Sequence, residues 1–312
     1  MAGRLWTPRI SAHTSPRPRP SKRNNPQHGP TMALSPGLYL VATPIGTADD
    51  ITLRALAILR QADLLAAEDT RNARKLMEIH GVPLNGRRVL PYHDHNGAQA
   101  RPRLLKAIAE GRSVAYVSDA GTPLIADPGY RLAQEAIAQD LPVTAAPGAS
   151  AVLAALSVAG LPTDRFLFAG FLPPKSAARR TELTALAQVP ATLVFYESPR
   201  RLAACLADMA GVLGGSRDAA VCRELTKRFE QVRRGTLAGL APAYADEGPP
   251  KGEVVIVVGP PVQTPASEAD LDSALAAAMR DNSLKDAASI VAEATGLPRK
   301  QVYARALELR GA

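Results

Sequence analysis

Short apolar runs alternate with amphipathic segments through residues 37–146, the pattern that strands and helices leave in an α/β fold. The β-branched and aromatic residues in these runs favour buried strands. The predicted strands are 37–42, 62–67, 89–92, 114–117 and 143–146. The predicted helices are 51–61 with Asp49 and Asp50 as N-cap residues, 72–80, 97–110, and a segment that ends at Gln139. This alternation predicts a mostly parallel sheet with right-handed crossovers.

The stretch 114–128 joins a predicted buried strand to a turn and a helix start. Asp119 follows the strand and Gly121 favours a tight turn, with Asp127 as the predicted N-cap and Pro128 as the first helical residue. An acidic residue after a buried strand, followed by a loop that contains glycine, is where open α/β sheets bind ligands. Asp119 is therefore a candidate binding residue; the alternative is that it only caps the turn.

Polar residues gather where the predicted strands end. They are Thr43, Glu68, Asp69, His93, Asn96 and Asp119. Because the carboxyl ends of parallel strands meet at one edge of a sheet, this clustering predicts an active site at that edge.

The second half repeats the alternation. The predicted strands are 166–171, 192–196, 219–222 and 253–258, with a hairpin arm at 233–237, a helix at 177–187 and a further helix that opens at Arg200 and Arg201. We therefore predict an N-terminal α/β domain over 33–147 and a second α/β domain over 148–262.

A linker at 260–266 precedes three predicted helices, 268–280, 284–295 and 299–309, in a C-terminal extension over 267–312. The last two are typical of a helix-turn-helix, in which the basic residues Lys285, Arg299, Lys300 and Arg305 would contact phosphates. The alternative is a small helical appendage that packs on its own apolar faces.

The charge of the chain is concentrated at its beginning. Residues 1–32 carry six basic residues and no acid, so the net charge of +8 leaves only +2 for residues 33–312. The tail is rich in Pro, Arg and Ser and is predicted to be disordered. We expect Met32 to be the start; the alternative is a real tail that adds nonspecific affinity for nucleic acid.

Other motifs restrict the chemistry. Cys205 and Cys222 are expected to be buried thiols in a reducing compartment, and the histidine pattern predicts no metal site. The sequence contains no P-loop and no G-x-G-x-x-G motif, which argues against a ligand bound through nucleotide phosphates. The apolar runs are too short to span a bilayer.

Eight motifs then occur in an order that resembles a known family. They are 43–46 (TPIG), 68–71 (EDTR), 92–96 (YHDHN), 117–123 (VSDAGTP), 147–151 (PGASA), 170–173 (GFLP), 195–199 (FYESP) and 223–227 (RELTK). Over residues 38–259 the chain resembles the ribosomal RNA small subunit methyltransferase I family of the tetrapyrrole methylase superfamily. Arg200 and Ala126 depart from the histidine and serine that relatives often carry there.

The resemblance implies two α/β domains with an S-adenosylmethionine site between them, usually in a homodimer in the cytoplasm. It implies 2′-O-methylation of a cytidine ribose in the decoding region of 16S rRNA, within the small ribosomal subunit. The implied cofactor residues are Ile45, Gly46, Asp119, Ala120, Gly121, Thr122, Ile125, Ser150, Ala151 and Tyr196.

Removing the proton of a ribose hydroxyl requires a base, and the candidates are Glu68, Asp69, His93 and Glu197. Arg71, Lys175 and Lys227 are candidates for holding RNA phosphates. Each of these side chains alternatively serves as a cap or a surface ion pair. Two other functions stay open: the same fold acting on a tetrapyrrole, and a nucleic-acid-binding regulator whose α/β part senses a ligand.

Overall fold

The structure is a computed structural model that describes residues 34–93, 96–126, 129–261 and 268–311. The predicted tail, most of the predicted linker, and the predicted helix start at Asp127 and Pro128 lie outside the described residues. The predicted division of the chain at 147 and 262 stays a prediction.

The first sheet contains five strands that all run parallel. They are β1 (Gly37–Val41), β2 (Leu64–Ala67), β3 (Val89–Pro91), β4 (Ser113–Val117) and β5 (Val143–Ala146), in the order β3-β2-β4-β1-β5. The helices that connect them are α1 (Leu53–Gln61), α2 (Thr70–Ile79), α3 (Gly97–Ala109) and α4 (Tyr130–Ala138). The parallel sheet is as predicted. The fully buried β4 is its middle strand, so the chain after Val117 leaves the sheet between the ends of β1 and β2.

The start of α1 differs from the prediction. Asp49 and Asp50 lie in a short 3-10 turn, and the side chain of Thr52 caps α1 by accepting a hydrogen bond from Ala55 N at 3.0 Å. Thr52 is the N-cap residue because it directly precedes the first helical residue. Helix α4 begins after Gly129, whose φ of 113° and close approach to the Tyr116 ring leave no room for a side chain.

The second sheet is mixed. Its strands are β6 (Phe166–Phe171), β7 (Thr192–Glu197), β8 (Asp218–Arg223), β9 (Gln231–Thr236) and β10 (Val254–Val258), in the order β6-β7-β10-β8-β9. Only β6 and β7 pair in parallel, and β10 runs antiparallel to both of its neighbours. All five residues of β10 are buried, which suits a middle strand with helices on both faces.

Four helices accompany this sheet: α5 (Ala151–Ala159), α6 (Ser176–Leu186), α7 (Leu202–Leu213) and α8 (Leu237–Glu247), the last of which was not predicted. Cys205 and Cys222 are buried and unpaired, as expected. Burial raises the pKa of both thiols, that of Cys222 to about 11.

The C-terminal helices are α9 (Glu268–Ala278), α10 (Leu284–Thr295) and α11 (Arg299–Gly311). Leu271, Leu275, Val291 and Val302 are among the buried residues at their common core. No helix in the described ranges has the length and apolar character that crossing a bilayer requires.

Candidate active site

A cavity of about 360 Å³ lies where loops of the first sheet meet the second sheet. Its size falls in the range typical of small-molecule sites, roughly 300–1,000 Å³. Eight of the ten residues implied for the cofactor line it: Ile45, Ala120, Gly121, Thr122, Ile125, Ser150, Ala151 and Tyr196. Five of the eight motifs that carry the family resemblance therefore contribute residues to one cavity.

The loop after β4 is fixed by its own hydrogen bonds. Thr43 and Gly121 exchange two backbone hydrogen bonds, at 2.9 and 3.0 Å, and the hydroxyl of Thr122 donates to Ala149 O at 3.0 Å. Leu124 and Ala126 have positive φ angles of 74° and 59°, which non-glycine residues rarely adopt. Strained backbone of this kind persists where the surroundings hold it, and it concentrates at ligand sites.

The other two implied cofactor residues support the cavity from outside its lining. The carboxylate of Asp119 accepts a hydrogen bond from Asp69 N at 3.0 Å, which ties the loop after β4 to the loop after β2. A Cβ atom on Gly46 would lie 2.6 Å from Thr226 Oγ1, so glycine lets the loop after β1 approach the loop after β8. The amide of Thr47 donates to the same oxygen at 3.1 Å.

Of the four candidate bases, Glu197 is the one that lines the cavity. Its side chain is 1 % exposed and pairs with Arg201 Nε at 3.2 Å, while Ser198 N donates to Oε1 at 2.7 Å. Glu197 is also close enough to Cys205 for its negative charge to add to the effect of burial on that thiol's pKa. This buried carboxylate at the cavity wall therefore stays a candidate for proton transfer.

The remaining candidate bases lie at the ends of β2 and β3. Glu68 Oε2 accepts from Asp119 N at 3.4 Å, and the amide of His93 donates to Asn96 Oδ1 at 2.8 Å. Asp69 caps α2, and hydrogen bonds from the Arg71 side chain and backbone lower the pKa of Asp69 to about 2. A carboxylate with so low a pKa is a weak base.

The three candidate phosphate contacts differ in their surroundings. Arg71 pairs with Asp69 at 2.6 Å, yet its side chain remains 86 % exposed. Lys175 is exposed at the start of α6. Lys227 Nζ donates to Glu224 at 2.9 Å and to Glu253 at 2.7 Å; burial opposes its charge, but these hydrogen bonds raise its pKa above the usual value. Lys227 therefore joins the loop after β8 to the chain before β10.

Sequence reasoning missed part of the cavity wall: Phe171, Ser198, Pro199 and residues 252–255. Phe171, Ser198 and Pro199 belong to the motifs 170–173 and 195–199, so the sequence contained a signal for them. Residues 252–255 carried no signal, because they reach the cavity only through the antiparallel insertion of β10 between β7 and β8.

The predicted basic residues of the C-terminal helices separate into two sets. Lys285, Arg299 and Lys300 line a shallow groove together with Tyr303. Arg305 instead pairs with Asp272 at 2.7 Å and with Glu308 at 2.7 Å. The three groove residues are thus better placed than Arg305 to contact a phosphate.

Comparison with family models gives two matches. Residues 37–241 match the model described as Tetrapyrrole (Corrin/Porphyrin) Methylases, and residues 265–310 match the RsmI C-terminal HTH domain. The second match covers the helical extension.

Curated relatives include proteins named Ribosomal RNA small subunit methyltransferase I. The one from Mesorhizobium japonicum is 52 % identical over 90 % of this chain and 95 % of its own length. Those from Xylella fastidiosa and Pseudomonas aeruginosa are 46 % and 43 % identical, over 86 % and 88 % of this chain and 98 % of each relative.

Solved structures with a similar fold include the methyltransferase CobJ, with a TM-score of 0.56 and 20 % identity over 72 % of this chain and 94 % of that one. Diphthine synthase gives a TM-score of 0.55 and 18 % identity over 71 % of this chain and 89 % of that one. At such identities the likeness concerns the fold alone.

Proposed function

Because the chain belongs to the ribosomal RNA small subunit methyltransferase I family, within the tetrapyrrole methylases, we propose that it methylates ribosomal RNA with S-adenosylmethionine as donor. The proposed acceptor is the 2′-hydroxyl of a cytidine ribose in the decoding region of 16S rRNA, which is what the family resemblance implies. The observation that carries the proposal is the single cavity lined by eight of the implied cofactor residues.

The cavity suits a ligand with a nucleoside end and an amino-acid end. Ile45, Ile125 and Ala151 supply apolar wall, while the loop Ala120–Thr122 supplies backbone groups held in place before binding. S-adenosylmethionine, when bound, supplies an activated methyl group. The prearranged loop lowers the cost of ordering the site, which favours binding.

Glu197 is the proposed proton acceptor. A ribose hydroxyl is a poor nucleophile, and a positioned base assists by taking its proton. Glu197 lines the cavity, and its pairing with Arg201 fixes the orientation of the carboxylate. Glu68, Asp69 and His93 are assigned to shaping the loops beside the cavity.

Arg71 and Lys175 are the proposed contacts to the RNA backbone, because both side chains are exposed and positively charged. Lys227, held by two carboxylates, is proposed to act mainly on the position of its loop. From the family resemblance we also propose a homodimer that acts on the small ribosomal subunit in the cytoplasm.

The test is methyl transfer from labelled S-adenosylmethionine to small ribosomal subunits that lack their own modification, followed by mapping of the label. We expect label on one cytidine ribose, and none on subunits that already carry the modification. Label on a base, or on another nucleotide, would contradict the proposed acceptor. No label despite intact cofactor binding would move the proposal to a small-molecule acceptor such as a tetrapyrrole.

A further inference from the structure

The loop between β8 and β9, residues 224–230, presents an aromatic ring to solvent. Phe229 is 65 % exposed, and the guanidinium of Arg228 lies 5.5 Å from the centre of its ring. Leu225 in the same loop is buried, so the loop is anchored at one end and displays Phe229 at the other. An exposed ring of this kind, with a guanidinium beside it, offers a face on which a planar group can stack.

The loop is held in a strained conformation. Glu224 and Thr226 have positive φ angles of 52° and 62°, and for a β-branched residue such as Thr226 this conformation is exceptional. Hydrogen bonds maintain it: Thr226 N donates to Glu230 Oε2 at 2.6 Å, and Glu253 N donates to Glu224 Oε1 at 3.0 Å. The position of Phe229 is therefore set by the fold before any partner arrives.

An open groove of about 400 Å³ runs beside Phe229 and is also lined by Gln231, Tyr244 and Lys251. Lys251 directly precedes Gly252, which lines the candidate cofactor cavity, so the groove adjoins that cavity along the chain. The lysine is exposed.

The exposed charges beside this groove are mainly positive, because the nearby acidic side chains already have partners. Two of the nearby acids are engaged: Glu230 accepts from the loop backbone, and Glu247 pairs with Arg233 at 2.7 Å. Arg228 and Lys251 remain exposed beside the ring. An exposed ring with an arginine over it and a lysine beside it matches the needs of a nucleotide, whose base stacks and whose phosphate is anionic.

We propose that Phe229, with Arg228, is a stacking platform for an unpaired base of the RNA, next to the nucleotide whose ribose enters the cavity. This inference rests on the proposed function and extends it by naming a second contact with the substrate. Sequence-specific recognition of RNA relies on unstacked bases that rest on aromatic rings and guanidinium planes.

The experiment compares the full-length protein with Phe229→Ala, Phe229→Leu and Phe229→Tyr on small ribosomal subunits that lack the modification. Removal of a stacking ring weakens binding by about 5- to 150-fold per base. We expect Phe229→Ala and Phe229→Leu to raise the KM for subunits by a factor in this range, whereas Phe229→Tyr restores the wild-type value. The Kd for S-adenosylmethionine should not change in any variant. Phe166→Ala, which removes an exposed ring from the edge strand β6, is the matched control.

Chemical probing of the bases in the bound subunit supplies the second readout. The wild-type protein should protect a base adjacent to the methylated nucleotide, and Phe229→Ala should lose that protection while it keeps the others. Unchanged KM and protection in Phe229→Ala would overturn the inference. A raised KM without altered base protection would point to a ribosomal protein, and a change in oligomeric state would point to a second copy of this chain; either also overturns it.

The two proposals fail in different ways. A wild-type protein that transfers no methyl group but shows the Phe229-dependent base protection refutes the proposed function and leaves the platform standing. A wild-type protein that methylates one cytidine ribose, with Phe229→Ala indistinguishable from it, refutes the platform alone.

Discussion

The two sheets contribute to the cavity in different ways. In the first, five parallel strands place their carboxyl ends at one edge, and backbone hydrogen bonds join loops there, as between Thr43 and Gly121. In the second, the antiparallel β10 pairs Val254 with both Glu197 and Arg223, so the start of β10 lies beside the ends of β7 and β8. Charged side chains join these ends, as Lys227 does between Glu224 and Glu253.

The difference indicates a division of labour. Backbone-fixed loops at a parallel edge suit a cofactor that is bound the same way in every cycle. Paired charges and exposed groups around an antiparallel insertion suit a polyanionic substrate and the movement of a proton. Four variants test this division, in order of decreasing expected effect.

Glu197→Gln should have the largest effect. The substitution keeps the size of the side chain but removes the base, and general base catalysis is worth about 10²–10⁴-fold in rate. We expect kcat for methyl transfer to fall in that range while the Kd for S-adenosylmethionine, measured by calorimetry, changes little. Glu253→Gln, at a 75 % exposed side chain on the same cavity, is the control. Equal loss in both variants would show that Glu197 has no special role.

Gly121→Val should weaken cofactor binding by about 100-fold, the upper end of the ~1–3 kcal/mol that overpacking costs. Gly121 has a φ of 79°, and a Cβ atom there would lie 3.3 Å from Ile45 Cγ2 at the cavity wall. Gly111→Val introduces similar backbone strain at a φ of 85° with no atom nearby, and it should leave the Kd unchanged. If both variants lose affinity alike, strain and not the cavity is responsible.

The triple variant Lys285→Ala/Arg299→Ala/Lys300→Ala should weaken binding to small ribosomal subunits by about tenfold and lower the salt dependence. Loss of three phosphate contacts reduces the slope of log K against log salt by about 2 for single-stranded RNA. The control removes equal charge from the first half, in Arg103→Ala/Lys106→Ala/Arg131→Ala. An unchanged slope would mean that the C-terminal helices are only a packed appendage.

Asp69→Asn should have the smallest effect, on the pH dependence of stability. The pKa of Asp69 is depressed from 3.8 to about 2 in the folded protein, so its stabilisation is present above about pH 4 and is lost as the pH falls through 2. The variant lacks that contribution at every pH, and its stability should therefore fall less steeply between pH 4 and pH 2. Acid unfolding followed by circular dichroism measures this, with Asp246→Asn as the control. Identical acid transitions would show that the pair with Arg71 contributes nothing.

The parallel half was predictable because its signals are local. Apolar runs such as 114–117 are followed by polar residues. Parallel strands bring these residues to the same edge of the sheet, whatever the order of the strands. The wrong caps at Asp49 and Asp50 show the limit of this reasoning, since several residues near a helix start have capping side chains and only geometry selects Thr52.

The mixed half was less predictable because pairing is not local. The run 254–258 is a buried strand in either direction, and nothing in its composition says that it inserts between β7 and β8. That insertion places residues 252–255 on the cavity, and it explains why this part of the wall was missed. The cofactor-binding role of Asp119 stays a prediction; in the structure its carboxylate accepts from Asp69 N and so joins two loops.

The position of β10 has a consequence for how the protein is made. The middle strand of the second sheet is the last of its strands to be synthesised, so β7 and β8 have no neighbour between them until residue 258 has left the ribosome. The parallel half can fold well before then, because its last strand ends at Ala146. A chain that ends between Ala146 and Val258 carries an incomplete second sheet with exposed apolar edges. We expect such fragments to depend on chaperones or to be degraded.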